Sequence, residues 1–153
     1  MLLHGAGPRL VTTFFDLYAL PTDFPGFAAS SGSDPIARAT ELEDDLSSHI
    51  ADDRLNPYIQ VHEAEALVLA CPDQLEVRHT GLGALALQAV AQEGGPEVVD
   101  DGPTTAPSKR LESWASAYSK TGDGPAIVAS TDLSTIRQQC EHSNGWMSWL
   151  ESW

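Results

Sequence analysis

Basic residues are scarce in this chain. Its 153 residues include 8 Lys and Arg against 22 Asp and Glu, which gives a formal net charge of −14. A field of that sign repels phosphate backbones and anionic membrane surfaces. The composition therefore argues against a protein that binds nucleic acid non-specifically. Nucleic acid is expected to bind only through a local site where a metal ion or a basic group reverses the field.

Cysteines and long apolar runs are also scarce. Cys71 and Cys140 lie far apart and lack the spacing of a metal site, so we expect free, buried thiols in a reducing cytoplasm. No segment is long or apolar enough to cross a bilayer, and the first twenty residues lack the charged start of a signal peptide. We therefore expect a cytoplasmic protein without a membrane anchor, folded as a single domain over residues 1–153.

Several common catalytic motifs are missing as well. The chain contains no Gly-x-Gly-x-x-Gly, no phosphate-binding loop ending in Gly-Lys-Ser/Thr and no Gly-x-Ser-x-Gly. His62 and Glu63 begin a stretch that is similar to the zinc-protease helix, but the second histidine would fall at Ala66. A zinc helix needs both imidazoles on one face, so this alternative is the weaker one.

The pattern of elements predicts an α/β fold with a parallel sheet. Residues 9–18 are rich in β-branched and aromatic residues and apolar on both faces, which is typical of a buried central strand. A loop rich in proline and glycine covers 21–35, and Asp34 and Pro35 open an amphipathic helix with Glu41, Glu43, Asp44 and Asp45 facing water. Residues 54–61 form the second predicted strand.

The rest of the chain is predicted to be mainly helical. The expected elements are a short helix that Pro72 ends, a helix over 81–93 closed by Gly94 and Gly95, a helix from Pro107 to about Tyr118, a loop with a short extended piece over 120–130, a helix capped by Thr131, and a last short helix carrying Trp146, Trp149 and Trp153.

Carboxylates follow both predicted strands. Asp16 ends the first strand, Asp23 lies in the loop behind it, and Glu63 and Glu65 follow the second strand. If the two strands are parallel neighbours, their carboxyl ends lie about 5 to 10 Å apart. Mg²⁺ and Mn²⁺ prefer such hard oxygen ligands. The sequence thus predicts a divalent cation held by Asp16, Glu63 and Glu65, with His62 orienting a carboxylate or packing in the core.

One basic pair stands out in the acidic chain. Lys109 and Arg110 fall in the first turn of a predicted helix, where the helix dipole disfavours cations. Their position indicates either an anion, such as a phosphate, held by the helix amides or an acidic neighbour within the fold.

Four segments in order give the chain a family resemblance. They are "VTTFFDLYALPTDFPG", "NPYIQVHEAEALVLA", "PEVVDDGPTTAPSKRL" and "DGPAIVASTDLSTIRQQCEHSNGWMSWLE", and they cover nearly the whole chain. In this respect the chain resembles the bacterial domain of unknown function 4276 family. The resemblance implies a Toprim-like domain, a parallel sheet flanked by helices, with Mg²⁺-dependent phosphodiester chemistry of the nuclease kind in a bacterial defence module.

The resemblance also implies roles and partners. Asp16, Glu63 and Glu65 become metal ligands, Glu63, Glu65 and His62 become catalytic candidates, and Lys109 and Arg110 become phosphate ligands. A neighbouring ATPase is the implied partner. The family's usual first strand and "EG-x-TE"-like motif are expected to be missing, and Tyr18 stands where a Toprim site has its second aspartate. Two alternatives follow: a non-catalytic subunit that binds the ATPase, or an inactive truncated family member.

Overall fold

The computed structural model describes residues 10–30, 34–99, 102 and 104–153. The chain divides into two compact units, Met1–Val61 and His62–Trp153, and each is described by itself. The prediction of a single domain stays a prediction.

The first unit is built on parallel strand pairs. β1 (Val11–Thr12) pairs with β3 (Leu55–Asn56), and β2 (Phe15–Asp16) pairs with β4 (Ile59–Gln60). The offset along the chain between paired residues is the same in both pairs. The two predicted strands are therefore parallel neighbours. Each is interrupted once, and the two interruptions lie opposite each other, at residues 13–14 and 57–58.

A threonine side chain spans the interruption. Pro57 has no N–H to donate to a ladder, and β3 ends directly before it. Beside it, Tyr58 N donates to Thr13 Oγ1 and Thr13 Oγ1 donates to the Tyr58 carbonyl, both at 2.9 Å. The Thr13 hydroxyl thus substitutes for a backbone group and keeps the strands in register.

The predicted burial of the first strand on both faces is wrong for two residues. Phe14 is 45% exposed and Phe15 is 42% exposed. Among the described residues, β2 has a single strand neighbour, β4, so it is not the central strand that the apolar run predicted. Arg9, the first residue of the predicted strand, lies outside the described residues.

Helix α1 (Pro35–Ile50) begins as predicted. The Asp34 carboxylate accepts hydrogen bonds from Ile36 N and Ala37 N, and Pro35 occupies the first turn. The helix packs against β3 and β4 over an apolar core of Leu17, Ala39, Leu42, Ile59 and Val61. Glu43 departs from the prediction of a solvated carboxylate, since its Oε1 accepts a hydrogen bond from Ile59 N at 2.6 Å.

The second unit is helical in its described residues. Its helices are α2 (Glu65–Leu69), α3 (Pro72–Arg78), α4 (Leu82–Glu93), α5 (Pro107–Trp114), α6 (Asp123–Ala129), α7 (Leu133–Gln139) and α8 (Glu141–Glu151). Short 3₁₀ turns cover Leu17–Ala19 in the first unit and Pro96–Val98 in the second. The core of the second unit is aliphatic, with Leu69, Leu75, Leu111, Ile127 and Ile136 among its buried members.

Three predictions for this unit need correction. Residues 123–129 form α6 rather than an extended piece, because glycine and proline are tolerated in a first helical turn. Helix α5 ends at Trp114, where Ala115 turns to an extended conformation, and not near Tyr118. Thr131 does not cap α7; its hydroxyl donates back to the Ile127 carbonyl of α6.

Other predictions are confirmed. The short helix before Pro72 is present, although it ends at Leu69, and Pro72 begins the next helix; Gly94 closes α4 with a φ of 91°. Cys71 and Cys140 are free and buried, and burial raises the pKa of both thiols. The protein has an α/β fold with little sheet. No helix in the described part of the chain is long and apolar enough to span a membrane.

Candidate functional site: a buried carboxylate pair

A tight turn places two glutamates at the start of the second unit. His62 follows β4 after one residue, Val61, and adopts the left-handed conformation, with a φ of 60°. Such a value is uncommon outside glycine, though histidine is among the residues that tolerate it. Glu63 and Glu65 follow, each 3% exposed, and Glu65 opens α2. His62 is itself buried, as its predicted alternative role in packing requires.

Glu63 is held at the start of helix α5. Its Oε1 accepts a hydrogen bond from the Ser108 backbone N–H, in the first turn of that helix. Its Oε2 accepts one from Lys120 Nζ at 2.9 Å. Burial opposes ionisation of the carboxyl group, but the Ser108 amide and Lys120 outweigh it and hold the pKa of Glu63 below its ordinary value.

Glu65 shares the same ammonium group. Lys120 Nζ lies 3.0 Å from Glu65 Oε2, so one cation bridges two buried carboxylates. Burial dominates at Glu65 and raises its pKa, with Lys120 offsetting only part of that effect and the Glu63 charge adding to it. The pair is therefore asymmetric: Glu63 is the more acidic carboxyl group and Glu65 the more basic one. Such a division is typical of acid/base sites.

Lys120 is the site residue that sequence reasoning missed. It lies in the loop between α5 and α6, far along the chain from both glutamates, in "SKTGDG". The only available signal was its being one of few cations in an acidic chain. The attraction of Glu63 and Glu65 raises the pKa of Lys120 despite partial burial, so the ammonium stays charged at neutral pH.

Asp123 fixes the loop that carries Lys120. Its Oδ2 accepts from the Ser119 backbone N–H at 2.8 Å and lies 3.1 Å from His79 Nε2, while its Oδ1 accepts from Arg78 at 2.9 Å. The Ser119 amide above all, with His79 and Arg78, holds the pKa of Asp123 below its ordinary value. The loop is thus tied to the end of α3, and Lys120 is positioned by contacts outside the carboxylate pair.

Replacing Asp123 with asparagine is expected to destabilise the protein by about 1 to 2 kcal/mol, because the hydrogen bonds from Ser119 and Arg78 lose a charged acceptor. Urea denaturation at pH 7 measures this loss. Since the carboxyl group has a lowered pKa when folded, its contribution is present at neutral pH and disappears as the pH falls through that pKa. Wild type and Asp123→Asn should therefore converge in stability at acid pH, and a difference that does not change with pH would contradict this account.

A cavity of about 620 Å³ adjoins the carboxylate pair. Its walls are aliphatic side chains of α2 and α6, among them Leu67, Val68, Pro125, Val128 and Ala129. The polar groups that line it are Glu65, Lys120 and Thr121. An apolar cavity with a few converging polar groups is the usual form of a small-molecule site.

Tyr118 lies behind one wall of this cavity. A Cβ atom at Gly124, which lines the cavity, would be 3.2 Å from the Tyr118 hydroxyl, so glycine leaves that hydroxyl its space. Among the described residues the hydroxyl has no hydrogen-bond partner. Burial, followed by the charges of Glu65 and Asp123, raises the pKa of Tyr118.

The other predicted site residues have partners of their own. Asp16 ends β2 in the first unit, where it is the partner of Gln60 in the parallel pair. Lys109 pairs with Glu112 at 2.9 Å, and Arg110 pairs with Glu93 at 3.0 Å. The acidic neighbours foreseen as one alternative for this basic pair are therefore present, and the anion at the start of α5 is Glu63 itself. Phosphate binding by Lys109 and Arg110 stays a prediction.

The donor set suits a hard cation only in part. In residues 10–30, 34–99, 102 and 104–153, no three His, Cys, Asp or Glu side chains are grouped so that they could hold a metal ion. Mg²⁺, however, is commonly bound by one or two carboxylates, with waters and substrate phosphates completing its shell. Glu63 and Glu65 provide those two carboxylates, and they would hold a magnesium or manganese ion, bound together with its substrate, in place of the Lys120 ammonium that lies between them here.

Comparison with known proteins identifies a family. The family model described as "Domain of unknown function (DUF4276)" matches residues 4–151. No curated protein and no solved structure matches the chain. The Toprim-like character implied by the resemblance accordingly stays a prediction. The family match spans nearly the whole sequence, and the chain belongs to the DUF4276 family.

Proposed function

We propose that this protein catalyses metal-dependent hydrolysis of a phosphoester, with Mg²⁺ or Mn²⁺ bound by Glu63 and Glu65. The observation that carries the proposal is the convergence of two buried carboxylates on one ammonium group. The three groups have a net charge of −1, which leaves an attraction for a cation at a site lined with hard oxygen ligands. When bound, the cation would polarise a phosphoryl oxygen.

Each residue of the pair has its own part in this proposal. Glu63 is anchored by the Ser108 amide and stays ionised, which suits a permanent ligand. Glu65 is the second ligand, and its carboxylate oxygen that does not bind the cation accepts the proton of the attacking water. The water oxygen bonds to phosphorus, and the bond to the leaving oxygen breaks with its electron pair. Lys120, whose side chain is 40% exposed, then donates to the phosphate.

Calorimetric titration with Mg²⁺ and Mn²⁺ tests the metal site. Wild type is expected to bind, and Glu65→Gln is expected to bind on the order of 10- to 100-fold more weakly, because an amide oxygen replaces a charged ligand. Glu41→Gln is the matched control, since Glu41 is an exposed carboxylate of α1 that loses the same charge. Equal heats for all three proteins would contradict the proposed metal site, and with it the proposed hydrolysis.

Asp16→Ala extends the same titration. The sequence predicts Asp16 as a further ligand, and that prediction is tested independently of the glutamates. A loss of affinity in Asp16→Ala comparable to that in Glu65→Gln would support a three-carboxylate site. An unchanged affinity would restrict the site to Glu63 and Glu65.

A second candidate function is that of an interaction subunit that binds a partner ATPase. This candidate is favoured by an exposed aromatic residue at the end of the chain. The rings of Trp149 and Trp153 contact edge to face with their centroids 6.0 Å apart, and Trp153 remains 68% exposed. Aromatic residues of this kind are common anchors in interfaces. Size-exclusion chromatography with the ATPase tests this candidate: Trp153→Ala should weaken co-elution, and separate elution of the wild-type proteins would exclude it.

A further inference from the structure

The described basic side chains are almost all committed within the fold. Six of the seven described Lys and Arg residues form ion pairs with carboxylates, and the seventh, Arg38, lies over the Phe27 ring at 5.3 Å. The ion-paired residues are Arg54, Arg78, Lys109, Arg110, Lys120 and Arg137. A polymer of nucleotides is bound mainly through phosphates that contact unpaired cations. Lys120, at 40% exposure, can donate to a single phosphate at the candidate site, but the described surface offers no row of unpaired cations, and the net charge of −14 opposes a polyanion.

Affinity for a phosphoester must therefore come from another source. The cavity of about 620 Å³ is lined by Glu65 of the carboxylate pair and by Lys120, which contacts both carboxylates, so a phosphate at the pair has the aliphatic walls directly beside it. Burial of an apolar group against Leu67, Pro125 and Val128 stabilises a complex in proportion to the area removed from water. The volume of the cavity is sufficient for one aromatic ring or base with its attached group.

We infer that the substrate is a small phosphoester with one apolar group, of the size of a nucleobase or aryl ring, that enters this cavity, and not a nucleic acid polymer. The inference rests on the proposed function. It adds that the cavity beside the metal site binds the group of the substrate that stays on phosphorus. Recognition then depends on the walls of α2 and α6 rather than on phosphate contacts along a strand.

Two chromogenic diesters test the inference. Bis(4-nitrophenyl) phosphate and methyl 4-nitrophenyl phosphate release the same 4-nitrophenolate when water attacks phosphorus, and they differ only in the group that stays. With Mg²⁺ present, kcat/KM for the bis-aryl ester is expected to exceed that for the methyl ester by about 10- to 100-fold through burial of the ring. Part of that ratio is chemical, because the second nitrophenyl group also activates phosphorus.

A cavity variant removes the chemical part from the comparison. Ala129 lines the cavity and is exposed, so Ala129→Trp fills the space without disturbing the core. Ala91→Trp is the matched control, since Ala91 is an exposed residue of α4 outside the cavity lining. The ratio of the two kcat/KM values should fall about tenfold in Ala129→Trp and stay at the wild-type value in Ala91→Trp.

The outcomes separate this inference from the proposed function. If Mg²⁺ binds and the diesters are hydrolysed but the ratio is the same in all three proteins, the cavity does not bind substrate and the inference fails alone. Tight binding of a 20-nucleotide single-stranded DNA, with affinity falling steeply as salt rises, would also overturn it. If Mg²⁺ does not bind, the proposed function fails first and the inference fails with it.

Discussion

Replacing Lys120 with methionine is expected to lower the free energy of unfolding by about 3 kcal/mol at pH 7. The ammonium group contacts Glu63 at 2.9 Å and Glu65 at 3.0 Å, and both carboxylates are 3% exposed. Methionine keeps the length of the side chain but leaves two buried negative charges without their cation. Removal of one partner from a buried pair typically costs about 3 to 5 kcal/mol, and the 40% exposure of Lys120 places this case at the lower end.

Urea denaturation of Lys120→Met measures this loss, and Lys109→Met is its matched control. Lys109 also forms an ion pair, with Glu112, but both side chains of that pair are exposed. Water therefore compensates for the lost contact, and the free energy of unfolding changes little. If the two variants were equally stable, the carboxylate pair would not be a buried charge cluster, and the electrostatic basis of the site would be lost.

The pH dependence of the same variant has a definite sign. Without Lys120, Glu65 loses the group that lowers its pKa, and burial and the Glu63 charge raise it further. A carboxyl group whose folded pKa is raised stabilises the fold at low pH and loses that contribution as the pH rises through the folded pKa. Lys120→Met should therefore differ least from wild type in acid and most at neutral pH. Circular dichroism melts between pH 4 and 8 would show the divergence.

The two strands were predictable because strand preference depends on local composition. The β-branched run at 9–18 and the run at 54–61 contain their own strand preference, whereas their parallel register is a contact between distant segments that the structure supplies. The exposure of Phe14 and Phe15 was not predictable, since an apolar run indicates a strand but not how many neighbours it has. Asp34 and Pro35 gave the start of α1 correctly because capping is determined by adjacent residues.

The site was predictable only where its residues are close in sequence. Glu63 and Glu65 were identified together because both follow one strand, but their burial and their division into a more acidic and a more basic group depend on Ser108 and Lys120. Those partners lie far along the chain, on elements whose relative packing no local pattern specifies. The sequence indicated Lys109 and Arg110 because cations are unusual in the first turn of a helix, where the dipole disfavours them. Lys120 lies in a loop, where a lysine is common and indicates no function.

The second large effect is expected at Gly83, where alanine should destabilise the protein by about 2 kcal/mol although it favours a helix. A Cβ atom at this position of α4 would lie 2.6 Å from the Pro72 carbonyl oxygen and 2.9 Å from Glu76 Cβ. Both atoms belong to α3, and a backbone carbonyl cannot move as a flexible side chain does. The gain in helix propensity, about 1 kcal/mol, is smaller than the cost of separating two packed helices.

Gly145→Ala is the control that isolates packing from propensity. Gly145 lies within α8 with no atom within 4 Å of the added Cβ, so this variant should gain about 0.5 to 1 kcal/mol. Thermal melts of the two variants should therefore shift in opposite directions, and a shift of the same sign would show that α3 and α4 do not pack closely at Gly83.

Separation of α3 from α4 in Gly83→Ala also has a consequence at the candidate site. Arg78, at the end of α3, and His79, which follows it, both contact Asp123 and so hold the loop that carries Lys120. A displaced α3 loosens the loop of Lys120, so Gly83→Ala should weaken Mg²⁺-dependent activity, whereas Gly145→Ala should leave it unchanged.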